Sequence, residues 1–297
     1  MSLRSRKSGF DRLFDIVNYT FMAIVVLAVI YPLYLVIISS FSDPDSVNTG
    51  SVWLFPKGMT FEGYHRIFME KDIWNGYKNT LIYTTLGTLL SVLLTLPGAY
   101  ALSRSDLAGR NIFMLLIVFT MFFGGGLVPT YLLIKNLGMT NTMWSQIVPG
   151  AMSAYNIIIT RTFFQTSIPK ELQESAEMDG SSITRFFLRI VLPLSTPIIA
   201  VMVLFNAVAH WNSYFPGLIY LRDEHLYPLQ LVLREILIVN EAPAESTLGA
   251  TDDGSSLRVA DIMKYGTIIV SSLPVLVLYP FLQRYFVKGI MIGSIKG

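Results

Sequence analysis

Six stretches of roughly twenty residues, rich in Leu, Ile, Val, Phe and Ala and almost empty of charge, restrict this chain more than any other feature. A run of about 20 apolar residues is what an α-helix needs to cross the hydrocarbon core of a bilayer. The runs fall near residues 17–41, 79–102, 112–134, 145–166, 194–221 and 265–283. Composition agrees, with 53% hydrophobic and 14% charged residues. The expected fold class is therefore an all-α membrane protein with six transmembrane helices.

Charge sets the expected orientation. Arg4, Arg6, Lys7 and Arg12 precede the first run, which is too long for a signal peptide and lacks a clear small-residue cleavage site, so it reads as a retained anchor. With the N-terminus inside, the inner segments hold 13 of the 22 Lys and Arg residues. That bias predicts both termini in the cytoplasm. The net charge of +2 says nothing about partners, and no nucleic-acid partner is expected.

Most enzymatic chemistry is excluded by what is missing. There is no cysteine, hence no disulfide or thiolate site. No Gly-x-x-x-x-Gly-Lys-Ser/Thr loop occurs, and Gly124-Gly125-Gly126 is followed by Leu-Val-Pro, which reads as close helix packing or a break before Pro129. His65, His210 and His225 lack metal-ligand spacing, and no serine sits in a Gly-x-Ser-x-Gly turn. Apart from Arg161 near the inner end of the fourth run, the apolar runs carry no Asp, Glu, Lys or Arg, where a proton-driven carrier usually keeps one in the interior. Asn206, His210, Trp211 and Asn212 form a polar and aromatic cluster in the fifth run. They fit an interfacial aromatic belt and a lining of a translocation pathway about equally.

One segment breaks the apolar pattern. Pro169-Lys-Glu-Leu-Gln-Glu-Ser-Ala-Glu-Met-Asp-Gly180, continuing through Ser-Ser-Ile-Thr-Arg-Phe-Phe-Leu-Arg-Ile-Val-Leu-Pro193, is polar and charge-dense. Pro169 suits a helix start, and Glu171 and Glu174 favour its positive end. Gly180 supplies a left-handed stop, and Ser181 or Ser182 can cap a second helix. The pattern predicts an elbow of two short helices on the cytoplasmic side. Adjacent small residues, Ser175 and Ala176, could enter a groove while Glu171, Glu174, Glu177 and Asp179 meet basic groups around it.

The order Glu174-Ser175-Ala176, Gly180 and Ile190-Val-Leu-Pro193 resembles the EAA loop of permease subunits in ATP-binding-cassette importers, in the variant found in sugar importers. Pro169, Glu171, Leu172, Asp179 and Pro197 also stand at matching places, with Ser175 and Ser181 replacing the usual alanines. The C-terminal Lys288-Gly289 through Gly297 resembles the tail of the second maltose-type permease. Tyr227-Pro-Leu-Gln-Leu and Trp211-Asn-Ser-Tyr-Phe resemble the polysaccharide and aldouronate branch more closely.

The resemblance implies a type I importer permease. It would pair with a homologous second permease, two ATPase subunits and an extracytoplasmic solute-binding protein, for an oligosaccharide. Glu171, Glu174, Ser175, Ala176, Asp179 and Gly180 would couple to the ATPase. ATP and Mg would bind there, with no cofactor or metal in this chain. Segment boundaries follow: 1–16 cytoplasmic, 17–41 first helix, 42–78 outer loop, 79–288 a core of five helices containing the loop 167–193 and the outer loop 222–264, and 289–297 a cytoplasmic tail. Gly249, Asp252, Asp253 and Gly254, in the Gly- and Ser-bearing part of that outer loop, are candidates for reaching into the binding protein. The alternatives are a self-sufficient carrier or channel, and an importer permease for a non-sugar solute.

Overall fold

The computed structural model describes residues 9–239 and 263–277. Among them all regular structure is helical. Two units emerge: the residues up to Met69 with Ile236–Ser271, and Glu70–Glu235 with the residues from Ser272 onward.

The first unit opens with α1, Gly9–Ser39, whose uncharged stretch from Ile16 onward leaves its apolar side chains largely exposed. Its length and apolarity suffice to cross a membrane. Within residues 42–78 two short helices form before α4. In α2, Pro44–Asn48, Asp43 accepts the Ser46 N–H at 3.3 Å and Pro44 takes the first turn, where its missing N–H is harmless. In α3, Glu62–Met69, Ile67 and Gly63 turn inward. The connecting strand of chain is pinned back: the Asp43 N–H donates to the Lys57 carbonyl at 2.9 Å, and the Tyr64 hydroxyl donates to Ser40 at 2.8 Å. Gly58, with φ +60, passes so close that a Cβ would sit 2.9 Å from the Asp43 Cβ.

The second unit is organised by α4, Lys71–Ser103, which begins earlier than the apolar run near 79 because the polar first turns also take helical form. It packs along α8, Ala154–Ser167, and α11, Thr196–Trp211. Glycines set the closest approaches. A Cβ on Gly87 would meet the His210 ring at 2.4 Å, and one on Gly76 would meet the Leu229 Cα at 2.9 Å.

Three expected spans are not continuous, and in the run near 194–221 the helix ends at Trp211 and resumes at Phe215. The run near 112–134 divides into α5, Arg110–Phe122, and α6, Leu127–Asn136, inclined at 114°. The glycine triplet gives the break its freedom, and Gly126 takes φ +84, which a side chain would oppose. The run near 145–166 divides into α7, Trp144–Ile147, and α8, with Pro149-Gly150 between them. Proline removes the N–H that a continuing helix needs. The elbow follows as α9, Lys170–Met178, and α10, Ile183–Leu194, which meets α11 at 80°. By length and apolarity α1 and α4 can each cross a membrane, and each bent pair adds a candidate if it is one span.

After α12, Phe215–Tyr220, the chain is held to α4 before α13, Leu229–Val239. Asn79 donates to the carbonyls of His225 and Tyr227 at 2.7 and 3.0 Å, Tyr83 to that of Leu226 at 2.8 Å, and Thr80 accepts the Leu229 N–H at 2.8 Å. Asn141, itself left-handed at φ 57, accepts the N–H groups of Arg222 and Asp223, both at 2.9 Å. The apolar helix α14 covers Met263–Val277.

Candidate functional site

The elbow is built by local backbone chemistry. Pro169 stands just before α9 in extended conformation, one position earlier than a first-turn proline, and Glu171 occupies the first turn. At the other end Gly180 takes φ +69. Its N–H donates to the Glu177 carbonyl at 3.0 Å, and the Ser181 N–H donates back to Ala176 at 2.9 Å. This pair of bonds is the glycine-dependent helix stop in which two otherwise orphaned carbonyls are satisfied. Ser182, rather than Ser181, then caps α10 by accepting the Arg185 N–H at 3.3 Å.

Apolar packing joins α9 to the body of the protein through Ala176. Ala176, 8% exposed, belongs to an apolar cluster with Leu96, Tyr100, Phe164, Phe186 and Val191. Tyr100 is central: its ring stacks on Phe187 at 4.9 Å and meets Phe164 edge-on at 5.9 Å. Of the two adjacent small residues it is Ala176 that turns inward to this cluster. Ser175 faces out and bonds its own helix at the Glu171 carbonyl. Glu171, Glu174 and Asp179 are exposed beside it, with Met178 the most exposed at 90%.

Arg104, one residue beyond the end of α4, ties the joint electrostatically. Its side chain is buried, its Nε and Nη2 donate to the two Asp106 oxygens at 2.9 and 2.6 Å, and Glu177 lies 3.6 Å away. Its Nη1 donates to the Tyr100 hydroxyl at 3.3 Å. The bond to Asp106 raises the guanidinium pKa above its usual value despite burial, and the same bond lowers that of the Asp106 carboxyl. Glu177 also accepts from Gln173 at 2.9 Å. Glu177 is thus oriented toward its own chain, whereas Glu171 and Glu174 are not. The sole sequence signal for Arg104 was its place directly after an apolar run, two residues before an acid.

Between the elbow and α11 the helix is distorted on purpose. Residues Phe187–Val191 widen into a π turn, so that the Leu192 N–H reaches the Phe187 carbonyl. The widening lies just before Pro193, whose ring would collide with the carbonyl four residues back in a regular helix. Ser195, fully buried, marks the 80° corner, and Pro197 opens the next helix.

The pathway candidates do not share one surface. Asn206 is buried, donates to the Met202 carbonyl at 2.8 Å and faces Asn156 at 3.5 Å. His210 lies over Gly87. Trp211 is buried 6.1 Å from the Tyr77 ring, and Asn212 is exposed with its amide on the Val208 carbonyl at 2.9 Å. A cavity of about 450 Å³ beside α4 and α11 is bordered by Trp211, Ala207, Val203, Thr84 and Thr88. Gly249, Asp252, Asp253 and Gly254, and the tail from Lys288, lie outside the described residues. No group of three or more His, Asp or Glu able to hold a metal occurs among the described residues.

Residues 73–226 match the family described as "Binding-protein-dependent transport system inner membrane component". Over 287 residues the chain is 40% identical to the polygalacturonan/rhamnogalacturonan transport system permease protein YtcP of Bacillus subtilis (strain 168), covering 97% of this chain and 99% of that one. It is 38% identical over 296 residues to protein LplC of the same organism, covering 100% and 98%. A chain of a bacterial ABC transporter involved in the import of the acidic polysaccharide alginate has the same fold, with a TM-score of 0.85 at 32% identity over 95% of this chain and 99% of that one.

Proposed function

Because the chain belongs to the inner-membrane components of binding-protein-dependent transport systems, we propose that it is one permease half of an ATP-driven oligosaccharide importer, with Pro169–Leu194 as its coupling elbow. The observation that carries this reading is the division of α9 into two faces. Ala176 and Glu177 hold it to the aromatic cluster and Arg104, while Glu171, Glu174, Ser175 and Met178 are left outward. A helix fastened on one side and free on the other can pass a push from a partner into α4, α8 and α10 together. Asp179 and Gly180 end it sharply, so that α10 turns back toward the membrane.

In this reading the engine is a pair of separate ATPase subunits carrying ATP and Mg. A homologous second permease completes the pathway, and an extracytoplasmic binding protein delivers the solute. Six spans are counted by taking each bent pair as one, adding α8 with α7, and assigning the last to the region beginning at Met263. Both termini then face the cytoplasm. Closure of the ATPases moves the elbows and converts the permease pair from one facing state to the other. The substrate is an acidic oligosaccharide, supported by a relative named for polygalacturonan and rhamnogalacturonan and a solved neighbour that imports alginate. Asn206 and His210, one turn apart on α11, are the pathway candidates nearest to α4 and α8, and the loop around Gly249–Gly254 is assigned to the binding protein.

The test is reconstitution of the full complex in proteoliposomes with Glu174→Lys. The variant should insert normally and bind solute-loaded binding protein, yet lose solute-stimulated ATP hydrolysis. Accumulation of oligosaccharide by this chain alone, without ATPase subunits, would overturn the proposal.

A further inference from the structure

Beyond transport coupling, we infer that the recess between the end of α4 and the first turn of α9 is an anion site, which takes a phosphomonoester group on Arg110 and Lys170. The recess holds about 250 Å³ and lies within the second unit. Its walls are the end of α4 with Arg104 and Ser105, Arg110 at the start of α5, Gln165 of α8, and the first turn of α9. Three cations border it, and no carboxylate does.

Most polar side chains around the recess are engaged within the chain. Arg104 is held by Asp106 and the Tyr100 hydroxyl, and Asp106 and Glu177 are both turned to it. The Ser103 hydroxyl donates to the Tyr100 carbonyl at 2.7 Å, the Gln173 amide to Glu177 at 2.9 Å, and the Gln165 amide to the Ser103 carbonyl at 3.5 Å. Two cations are left over. Arg110 uses only its Nη1, which donates to the Arg104 carbonyl at 3.1 Å, and its Nε and Nη2 meet no acceptor among the described residues. Lys170 is exposed, with neither a hydrogen bond nor an ion pair among the described residues.

Phosphate chemistry fits that remainder. The Nε and Nη2 of a guanidinium form one edge that grips two oxygens at once, and an ammonium is a compact point charge. A planar carboxylate lies flat against the guanidinium edge, whereas a tetrahedral phosphate monoester has a third oxygen to turn toward Lys170. Its charge, about −1.5 to −2 at neutral pH, matches two free cations. Walls of low dielectric strengthen that attraction over what an open surface gives. The volume of about 250 Å³ falls below the roughly 300 to 1,000 Å³ of sites for drug-sized ligands, so the ligand enters by a small head group. That head belongs to a lipid or to a small soluble phosphate. The level suits a lipid: α4, long and apolar enough to cross a membrane, ends at Ser103, and α5 begins with Arg110. Basic recesses between membrane helices on the cytoplasmic side bind anionic headgroups. Placement at the inner leaflet rests on the orientation proposed above, and the site itself does not. A bound phosphate would bridge α5 to α9 as a second link across the joint that Arg104 already ties.

The test measures binding without transport, so its failure is separate from a failure of the coupling proposal. The chain has no cysteine, and Ser105→Cys places a thiol on the exposed rim of the recess. In the assembled importer in detergent, the reaction of that thiol with an uncharged maleimide is followed on this subunit after separation by size. Three probes are compared: short-chain phosphatidic acid, diacylglycerol of the same chain length, and glycerol phosphate. Phosphatidic acid should slow labelling and diacylglycerol, the same lipid without its phosphate, should not. Glycerol phosphate acting at the same concentration identifies a soluble ligand, and its failure beside active phosphatidic acid assigns the site to lipid. Lys170→Gln alters an exposed side chain outside the packed cluster and leaves the fold intact. It should raise the half-protecting concentration at least about tenfold, the loss of one charge-assisted hydrogen bond, and Arg110→Gln should raise it further. Absence of protection by both phosphates overturns the inference. So does protection that diacylglycerol gives equally, or that survives both substitutions unchanged.

Discussion

Gly180 offers a clean perturbation of the elbow because its surroundings separate two explanations. Its φ of +69 closes α9, and no atom of the chain lies within 4 Å of a Cβ built there. Replacement by alanine therefore costs backbone strain and nothing else inside this chain, about 1–2 kcal/mol for a left-handed non-glycine residue. That strain corresponds to a drop of roughly 5- to 30-fold in the population of the closed helix end. Asparagine tolerates the left-handed region far better and should lose much less. If the elbow works through its shape, solute-stimulated ATPase of the reconstituted complex should rank glycine, then asparagine, then alanine, with valine lowest. Simple crowding against a partner predicts the opposite order for the pair, since asparagine is larger than alanine. An alanine variant as active as asparagine or more so would refute the reasoning.

Three further outcomes are expected. Gly87→Val drives a side chain into the His210 ring and should destabilise the α4–α11 contact by about 1–3 kcal/mol, read as a lower detergent unfolding temperature; His210→Ala in the same chain should restore most of it. Asn79→Ala leaves the carbonyls of His225 and Tyr227 short of a donor, at a cost of about 1–3 kcal/mol, and tryptic cleavage at Arg222 should quicken while cleavage at Arg185 does not. Asp106→Asn weakens the Arg104 joint by no more than about 1 kcal/mol, because that carboxylate is half exposed. Asp106 has its pKa lowered by Arg104, so the pair contributes fully above the unfolded carboxylate value of about 3.9 and fades only as pH falls below it. The stability difference between parent and variant should accordingly be constant from about pH 5 to 8, and one that disappears at pH 6 would contradict the assignment.

Local chemistry was legible in the sequence, and long-range chemistry was not. Gly180 and Ser182 announce a stop and a cap because both effects act within a few residues. The breaks at Gly124–Gly126 and Pro149-Gly150 were written in the chain, yet the average apolarity around them is high enough to suggest uninterrupted spans. Composition shows that a helix is compatible with lipid, and it is blind to whether the backbone stays straight. Ala176 was marked as small, but which of the two small residues turns inward depends on Tyr100, Phe164 and Phe187 arriving from other helices. The same holds for Asn79, Thr80 and Tyr83. Their partners lie some 145 residues further along, from His225 to Leu229, and no periodicity connects them.

The corner at Ser195 has a mechanical consequence. Two rods joined at 80° exchange very little thrust along their lengths, so a shove delivered lengthwise to Ile183–Leu194 reaches Thr196–Trp211 as a sideways load. In the proposed coupling that load turns the second rod instead of pushing it along its own axis, so the stroke would be read as a change of tilt in α11 and not as a shift along its length.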